Sequence, residues 1–258
     1  MELGLKGKVA LVTGASRGIG YGIAHLLARE GCKVHLASRT AADLEKAQAK
    51  IRAETGATIE IHAADLGKPG ACEALADRCG DLDILVNNAG AIPHGSVTAI
   101  ADAQLREAWE LKLFGFISLT RKIYPQMCKA KHGAIVNIIG LAGERPTAPY
   151  IAGTMANAAL MAFTRALGTE SPNFGVRVAG INPGAILTDR QEVRWRARAA
   201  KELGDEKRWP ELTTDFPFGR LGTVEEVANL AVFLASEAAS YITGTIVTVD
   251  GGRAGRNA

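Results

Sequence analysis

Short apolar runs alternate along the chain with longer amphipathic stretches. The short runs are rich in Val and Ile and contain few polar positions, which is typical of parallel strands that helices cover on both faces. Seven strands are predicted, at residues 9–13, 34–37, 59–62, 84–87, 135–139, 176–181 and 246–249. The intervening stretches, such as residues 19–30, 41–54 and 224–235, are long enough to be crossover helices. The pattern therefore predicts an α/β doubly wound Rossmann fold, with residues 1–258 as one domain because no linker or repeat interrupts it.

One segment departs from this alternation. Residues 190–217 combine several arginines with Trp195 and Trp209, between the sixth strand and the last helix. Ligands of open parallel sheets bind beyond the carboxyl ends of the strands, so we predict a substrate lid at about residues 188–220. The alternative is a solvated amphipathic helix, since runs of charge usually face water.

The composition excludes several classes of protein. The chain has 258 residues, of which 47% are apolar, and at this length folding buries roughly 75% of the surface of the unfolded chain. A formal net charge of +3 with interspersed signs argues against a nucleic-acid partner. We see no membrane span and no signal peptide and expect a cytoplasmic protein. The four cysteines lack C-x-x-C spacing and the five histidines are scattered, so we expect reduced thiols and no metal site.

A glycine-rich turn follows the first predicted strand. Residues 13–20 read T-G-A-S-R-G-I-G and lead directly into a helical pattern. Gly14 permits a tight turn, Gly18 lets the backbone approach a pyrophosphate, and Gly20 lets the helix pack closely on the strand. The N–H groups at the start of that helix then face the anion. This context predicts a dinucleotide site, against the alternative of an ordinary glycine-rich turn.

Further motifs continue the match. Residues 87–90 read N-N-A-G, residues 183–184 read P-G with Thr188 beyond them, and residues 241–244 and 249–252 read Y-I-T-G and V-D-G-G. With these motifs the chain resembles the short-chain dehydrogenase/reductase family, and in particular its 3-oxoacyl-ACP reductases, over essentially its whole length. The resemblance implies an NAD(P)-dependent oxidoreductase that acts on a small molecule and assembles as a homo-oligomer, a dimer or tetramer. It also implies that the Thr188 side chain contacts the nicotinamide carboxamide.

The residues at the end of the second strand determine whether NAD(H) or NADP(H) binds. The residues there are Ser38 and Arg39, without a carboxylate for a ribose 2′-hydroxyl, and Arg17 is a second cation that can reach a 2′-phosphate. NADP(H) is therefore predicted, although both arginines could be solvated loop residues. Asp65 matches the family position that touches adenine, or caps a helix that begins near residue 69. The predicted cofactor-binding residues are Gly14, Ser16, Arg17, Gly18, Ile19, Gly20, Ser38, Arg39, Asp65, Leu66, Asn88, Ala89, Gly90, Pro183, Gly184, Ile186 and Thr188.

The family's catalytic tetrad is replaced at all four positions. Alignment puts the serine on Gly140, the tyrosine on Gly153 and the lysine on Asn157, with the usual interval from serine to tyrosine. The K-L-F-G run puts the family's asparagine on Lys112. The resemblance therefore covers the cofactor motifs and fails at the proton donor.

One tyrosine lies close to the lost position. Tyr150 precedes Gly153 by three residues, and its interval to Asn157 equals the Y-x6-K spacing of the family's divergent enoyl-reductase branch. We predict that Tyr150, assisted by Lys112, replaces the missing acid, and that Asn157 keeps a ribose contact. A lysine ammonium near a phenol would favour the phenolate. The alternative is that Tyr150 merely precedes a helix and that Lys112 is solvated.

Three functions follow from these residues. The first is an NADP(H)-dependent reduction of a carbonyl or an activated double bond. The second is a catalytically silent protein that binds NADPH and reports its occupancy. The third is non-redox chemistry, such as elimination or retro-aldol cleavage, with Lys112 as base or electrophile. We favour the first because the cofactor motifs are complete.

Overall fold

Seven parallel strands form one sheet in the order β3-β2-β1-β4-β5-β6-β7 in the computed structural model, which describes residues 2–255. The strands are β1 Val9–Thr13, β2 Lys33–Ser38, β3 Ile59–Ala63, β4 Ile84–Asn87, β5 Gly133–Ile138, β6 Val176–Pro183 and β7 Ile246–Val249. The helices are α1 Gly18–Arg29, α2 Ala41–Thr55, α3 Ala71–Cys79, α4 Asp102–Trp109, α5 Gly115–Ala130, α6 Ile151–Glu170, α7 Asp189–Leu203 and α8 Val224–Ala235. The predicted doubly wound fold and its seven strands are confirmed.

Helices cover both faces of the sheet. On one face Ile23 and Leu27 of α1 pack with Val227 and Ala231 of α8 against the strands, and all four side chains are fully buried. On the other face Leu75 of α3 and residues of α5 form a second core cluster. The strands in the middle of the sheet are buried on both sides, which is why they read as continuous apolar runs.

The strand order reverses between β1 and β4, so their carboxyl ends border an open crevice. The Thr13 hydroxyl joins these two ends because it accepts from the backbone N–H groups of Asn88, at 2.9 Å, and Ala89, at 3.0 Å. The Asn88 side chain in turn donates to the Thr13 carbonyl at 3.0 Å. Both predicted motifs, the glycine-rich turn and N-N-A-G, are thereby brought to the same edge of the sheet.

The predicted lid segment forms helix α7 and a 3-10 helix at Glu206–Thr213. The Thr188 hydroxyl caps α7 by accepting from the Gln191 N–H at 3.3 Å. The Trp195 ring meets Phe216 edge to face at 5.6 Å between centroids. Among residues 2–255, no helix combines the length and apolar character that crossing a membrane requires.

Candidate active site

The glycine-rich turn has backbone conformations that only glycine adopts readily. Gly14 and Gly18 have φ of +65° and +58°. A Cβ atom on Gly20 would overlap the Gly14 carbonyl oxygen, so close packing of α1 on β1 needs glycine there. The first N–H groups of α1 open on the crevice and suit a phosphate group. These observations fit a pyrophosphate at the turn.

Two adjoining cavities run along the carboxyl edge of the sheet. The dinucleotide cleft, about 280 Å³, is bordered by the glycine-rich turn, the end of β2 and the N-N-A-G segment. The substrate pocket, about 400 Å³, shares Ile19, Asn88, Gly90 and Thr188 with that cleft. Because they share these residues, the two cavities adjoin, and together they form the space available to a long cofactor that extends from the cleft to the pocket.

Most predicted cofactor residues line this space. Those that line the dinucleotide cleft are Gly14, Ser16, Arg17, Gly18, Ile19, Ser38, Arg39, Leu66, Asn88, Ala89, Gly90 and Thr188. Pro183 and Gly184 line the substrate pocket. The remaining three, Gly20, Asp65 and Ile186, line neither cavity.

Each of those three has another place in the fold. Gly20 lies against the Gly14 carbonyl oxygen, where a side chain would not fit. The Asp65 carboxylate accepts from the Gly67 N–H at 3.2 Å and borders a neighbouring small cavity together with Arg39. Helix α3 begins at Ala71 with Gly70 as its N-cap. Asp65 therefore does not cap this helix, and the alternative interpretation of Asp65 is wrong. The Ile186 side chain is 4% exposed and packs beside Gly222.

Arg17 and Arg39 both lie exposed at the rim of the dinucleotide cleft. Neither has an ion-pair partner within residues 2–255, although Asp43 borders the same cleft. Two guanidinium groups without a carboxylate partner fit a phosphate monoester, which accepts charge-assisted and bidentate hydrogen bonds. The residues present therefore fit a phosphorylated dinucleotide.

Tyr150 lines the substrate pocket and lies directly before α6. A Cβ atom on Gly153 would overlap Cε1 and Cζ of the Tyr150 ring. The phenol therefore fills the volume that a side chain at position 153 would enter. The His94 imidazole packs on this ring at 4.6 Å between centroids, with a 34° angle between the planes.

Burial raises the pKa of the Tyr150 phenol, and the nearby cations of Arg190 and Arg194 act to lower it. Burial together with these two arginines lowers the pKa of His94. At neutral pH the phenol thus keeps its proton and the imidazole is uncharged. The pocket contains a protonated acid under the influence of two positive charges.

Lys112 lies in a π-helical turn, Glu110–Phe114, between α4 and α5. Its side chain is almost fully buried, passes over Gly90, and donates from Nζ to the Ile138 carbonyl at 2.7 Å. Burial lowers its pKa to about 7. Lys112 lines the pocket floor, but its hydrogen-bond partner is the end of β5, and the cations that act on Tyr150 are Arg190 and Arg194.

Asn157 and Gly140 adjoin each other on the pocket wall. A Cβ atom on Gly140 would lie 2.8 Å from Asn157 Nδ2, and Gly140 has φ of +143°. The Asn157 side chain is 4% exposed and has no hydrogen-bond partner within residues 2–255. A buried amide without a protein partner that borders a pocket is suited to bind a ligand.

Sequence reasoning missed His94. This residue follows the N-N-A-G motif at the carboxyl edge of β4, and that position was the available signal, since ligand-binding loops follow the strands at this edge. The packing of His94 on Tyr150 depends on the path of two loops, joined where Gly95 N donates to the Pro149 carbonyl at 2.8 Å. Chain spacing gives no information about that contact.

Comparison with known proteins identifies the class. Residues 14–254 match the family described as enoyl-(acyl carrier protein) reductase. The 3-oxoacyl-(acyl-carrier-protein) reductase FabG of Escherichia coli (strain K12) is 34% identical over 257 residues, covering 97% of this chain and 98% of the relative. The chain belongs to the short-chain dehydrogenase/reductase family of oxidoreductases, as its motifs predict.

Two solved structures are similar along nearly the whole chain. The L-sorbose reductase of Gluconobacter frateurii, complexed with NADPH and L-sorbose, has a TM-score of 0.94 and 33% identity, with 100% of each chain covered. A 3-oxoacyl (acyl-carrier-protein) reductase of Agrobacterium tumefaciens C58 with NADP bound has a TM-score of 0.88 and 31% identity, with 96% of this chain and 95% of that one covered. Both structures contain the phosphorylated dinucleotide that Arg17 and Arg39 led us to expect.

Proposed function

We propose that this protein is an NADP(H)-dependent reductase of a carbonyl or activated double bond, that Tyr150 donates the proton, and that the substrate carries a negative charge. The observation that carries the proposal is the Tyr150 ring over Gly153, in a pocket that adjoins the dinucleotide cleft. It supports a phenolic acid near the region where the family's tyrosine acts. Arg17 and Arg39 support the choice of NADP(H) over NAD(H).

Each residue of the pocket has a separate role in the proposed reduction. The reduced nicotinamide, when bound, supplies the hydride. Tyr150 gives its proton to the substrate atom on which negative charge develops, and the two arginines stabilise the phenolate that remains. Asn157 offers an amide to the ribose side of the pocket, and Thr188 lies between the two cavities.

The preference for an anionic substrate follows from the charges that line the pocket. Arg190 and Arg194 line it together with Lys112, which is partly protonated near neutral pH, while none of its lining residues is a carboxylate. Other arginines of α7 are paired: Arg196 contacts Glu192, and Arg198 contacts Glu202 at 2.8 Å. Arg190 and Arg194 have no ion pair within residues 2–255. Their unbalanced charge favours a carboxylate or phosphate on the substrate.

Lys112 has a supporting role in this proposal. Its hydrogen bond to Ile138 holds the π-helical turn against the end of β5, next to Ile139 and Gly140 on the pocket wall. When protonated it also adds positive charge to the pocket floor. With a pKa near 7, this contribution falls as the pH rises through neutrality.

The same lysine favours one alternative, non-redox chemistry through an amine nucleophile. A buried lysine with a pKa of about 7 is partly neutral at physiological pH and able to attack a carbonyl. Borohydride with a keto acid would then trap a covalent adduct that mass spectrometry assigns to Lys112. We expect no adduct, because Nζ is engaged by the Ile138 carbonyl.

The proposal is tested with matched substrates. NADPH oxidation is followed with a 3-keto acid, an enoate and the methyl ester of each, using wild type, the double variant Arg190→Ala/Arg194→Ala and the control Arg196→Ala/Arg198→Ala. We expect the acids to be preferred, and the KM for an acid to rise at least about 10- to 100-fold in the first variant only, since the loss of even one charge-assisted hydrogen bond costs about 1.5–3 kcal/mol. Preference for the esters would contradict an anionic substrate. NADPH binding by fluorescence without turnover of any compound would favour the silent binding protein.

We also propose that the protein is a homo-oligomer. Met155 on α6 is 39% exposed and Tyr241 is 102% exposed, while Leu160 of the same helix α6 is fully buried. Two large apolar or aromatic side chains left in contact with water support the homo-oligomer that the family resemblance implies.

A further inference from the structure

Two histidines and a cysteine meet in the core, away from the residues that line the proposed active site. His35 and His62 are 6% and 8% exposed, and Cys79 is 7% exposed. The three side chains lie between the edge of the sheet and α3. The reduction proposed above makes no use of them.

The strand register brings the histidines together. His35 of β2 pairs with Glu60 of β3, and Ala37 pairs with His62. Since side chains alternate between the faces of a strand, His35, Glu60 and His62 all lie on the same face of the sheet. Cys79 ends α3, which packs on this face.

The possible ligand atoms of these side chains lie close enough together to contact one metal ion. His35 Nδ1 lies 2.9 Å from His62 Nε2, and Cys79 Sγ lies 3.7 Å from the same His62 Nε2. One ligand atom from each of the three residues fits within a mutual distance of 4.8 Å. The exposed Glu60 carboxylate brings a fourth donor, with Oε2 at 3.7 Å from His35 Nδ1.

These spacings match tetrahedral zinc. With Zn–N near 2.05 Å and Zn–S near 2.3 Å, the edges of the tetrahedron are about 3.3 Å between two nitrogens and about 3.6 Å between nitrogen and sulfur. A shift of a few tenths of an ångström would open the two imidazoles to such an ion. Nitrogen and thiolate donors select a borderline-soft metal such as zinc over Mg²⁺ or Ca²⁺.

Charge and protonation suit the ion as well. The contact of 2.9 Å between His35 Nδ1 and His62 Nε2 is a hydrogen bond in which one of the two nitrogens carries a proton, so zinc binding requires that imidazole to hold its proton on the other ring nitrogen. Cysteine binds zinc as the thiolate, so binding must also release the Cys79 proton. A thiolate and the Glu60 carboxylate would then balance the two positive charges of zinc. The Arg78 cation, which also acts on His62, opposes binding and limits its strength.

We propose that His35, His62, Cys79 and Glu60 bind one Zn²⁺ ion that joins β2, β3 and α3. His35, His62 and Cys79 supply the three ligand atoms that already lie within 4.8 Å of one another, and Glu60, which is 59% exposed, would complete the coordination by turning its carboxylate toward them. Four protein ligands would leave no open position, so the effect of the ion is on stability. Because these strands lead to Arg39 and Asp65, the ion would also steady the adenine end of the dinucleotide cleft.

Zinc and cobalt binding test the site in the full-length protein after removal of metals by a chelator. Zn²⁺ is titrated against a chromophoric competitor, and Co²⁺ is added to observe the near-ultraviolet thiolate-to-cobalt charge-transfer band. Variants are Cys79→Ser, Glu60→Gln and the control Cys72→Ser. Cys72 is also buried on α3, but its thiol donates to the Leu66 and Gly115 carbonyls. Glu60 is 59% exposed, so its variant is expected to fold even if Cys79→Ser does not.

We expect wild type and Cys72→Ser to bind one zinc per chain, to show the cobalt band and to melt at a higher temperature with zinc. Cys79→Ser should lose the band and bind at least about 100-fold more weakly, since loss of an outer-shell partner alone costs 10- to 100-fold. Glu60→Gln should bind about 10-fold more weakly with the band retained. Absence of the cobalt band in wild type, an equal band in Cys79→Ser, or unchanged zinc affinity in Glu60→Gln would overturn the proposal.

Discussion

The phenol at position 150 lines the pocket because residue 153 is glycine. The Tyr150 ring and any side chain at 153 would occupy the same volume, so a tyrosine can serve from one position or the other, but not from both. This coupling explains how the family's proton donor can be absent from its usual position while a phenol remains in the pocket. The new position also brings the phenol against His94 and under the influence of two arginines.

Arg39 is the residue to which we assign the preference for NADP(H). We expect Arg39→Ala to raise the Kd for NADPH about 10- to 100-fold, through loss of charge-assisted hydrogen bonds to the 2′-phosphate, with little change for NADH. Fluorescence titration with both nucleotides measures this. The exposed Arg121 on α5 lines neither cavity, so Arg121→Ala is the control. Equal weakening of NADPH and NADH by Arg39→Ala would contradict the assignment.

Lys112 gives the protein a pH-dependent stability with a definite sign. Its pKa is about 7 when folded and returns to about 10.5 on unfolding. Between these values the unfolded chain binds a proton that the folded chain lacks, so this lysine makes stability rise with pH, and below about 7 both states are charged.

Removal of the amine should abolish that contribution. We expect the unfolding free energy of Lys112→Met, relative to wild type, to be greatest near about pH 6 and to decline as the pH approaches about 10. Urea unfolding at a series of pH values gives the difference. A difference that is constant across the series would show that the amine keeps an ordinary pKa.

Single residues could be predicted only where chain spacing carried the information. Tyr150, Lys112 and Asn157 were found by register against the family's motifs, and all three line the pocket. The His35, His62 and Cys79 cluster could not be found in this way. Its members are 27 and 17 residues apart, and their meeting depends on strand register and on the path of α3.

At the scale of elements, the inner strands could be predicted because burial on both faces leaves continuous apolar runs. The predicted β1, β4 and β7 have the observed bounds, while β6 extends to Pro183 instead of ending at residue 181. That extension follows from pairing with β7, since Pro183 is opposite Val249. Pairing of this kind is not visible in an isolated sequence.

The end of β5 has a backbone that explains one of the altered tetrad positions. Gly140 has φ of +143° and ψ of 145°, a region that side chains strongly disfavour. We expect Gly140→Ser, which restores the family's residue, to destabilise the protein by about 1–3 kcal/mol. The serine would also crowd the Asn157 amide. Urea unfolding measures the change, with Ala142→Ser as the neighbouring control; a Gly140→Ser protein as stable as that control would refute the claim.

At the scale of the whole molecule, exposed side chains on α6 and near the carboxyl terminus support the proposed self-association. We expect wild type to sediment as a homo-oligomer and both Met155→Glu and Tyr241→Glu to shift it toward monomer, because a carboxylate in an apolar interface loses hydration. Val193→Glu is the matched control, since Val193 is 67% exposed but lies on α7. A monomeric wild type in sedimentation velocity would contradict this prediction.

The turnover of Tyr150→Phe tests the central claim most directly. Rates of NADPH oxidation are compared at saturating NADPH and keto acid for wild type, Tyr150→Phe and the control Tyr124→Phe, whose buried hydroxyl lies on α5. If the Tyr150 hydroxyl donates the proton, kcat falls by about 10²–10⁴ while the Kd for NADPH is unchanged, and Tyr124→Phe retains the wild-type rate. A Tyr150→Phe rate equal to that of wild type would mean that the proton comes from another group.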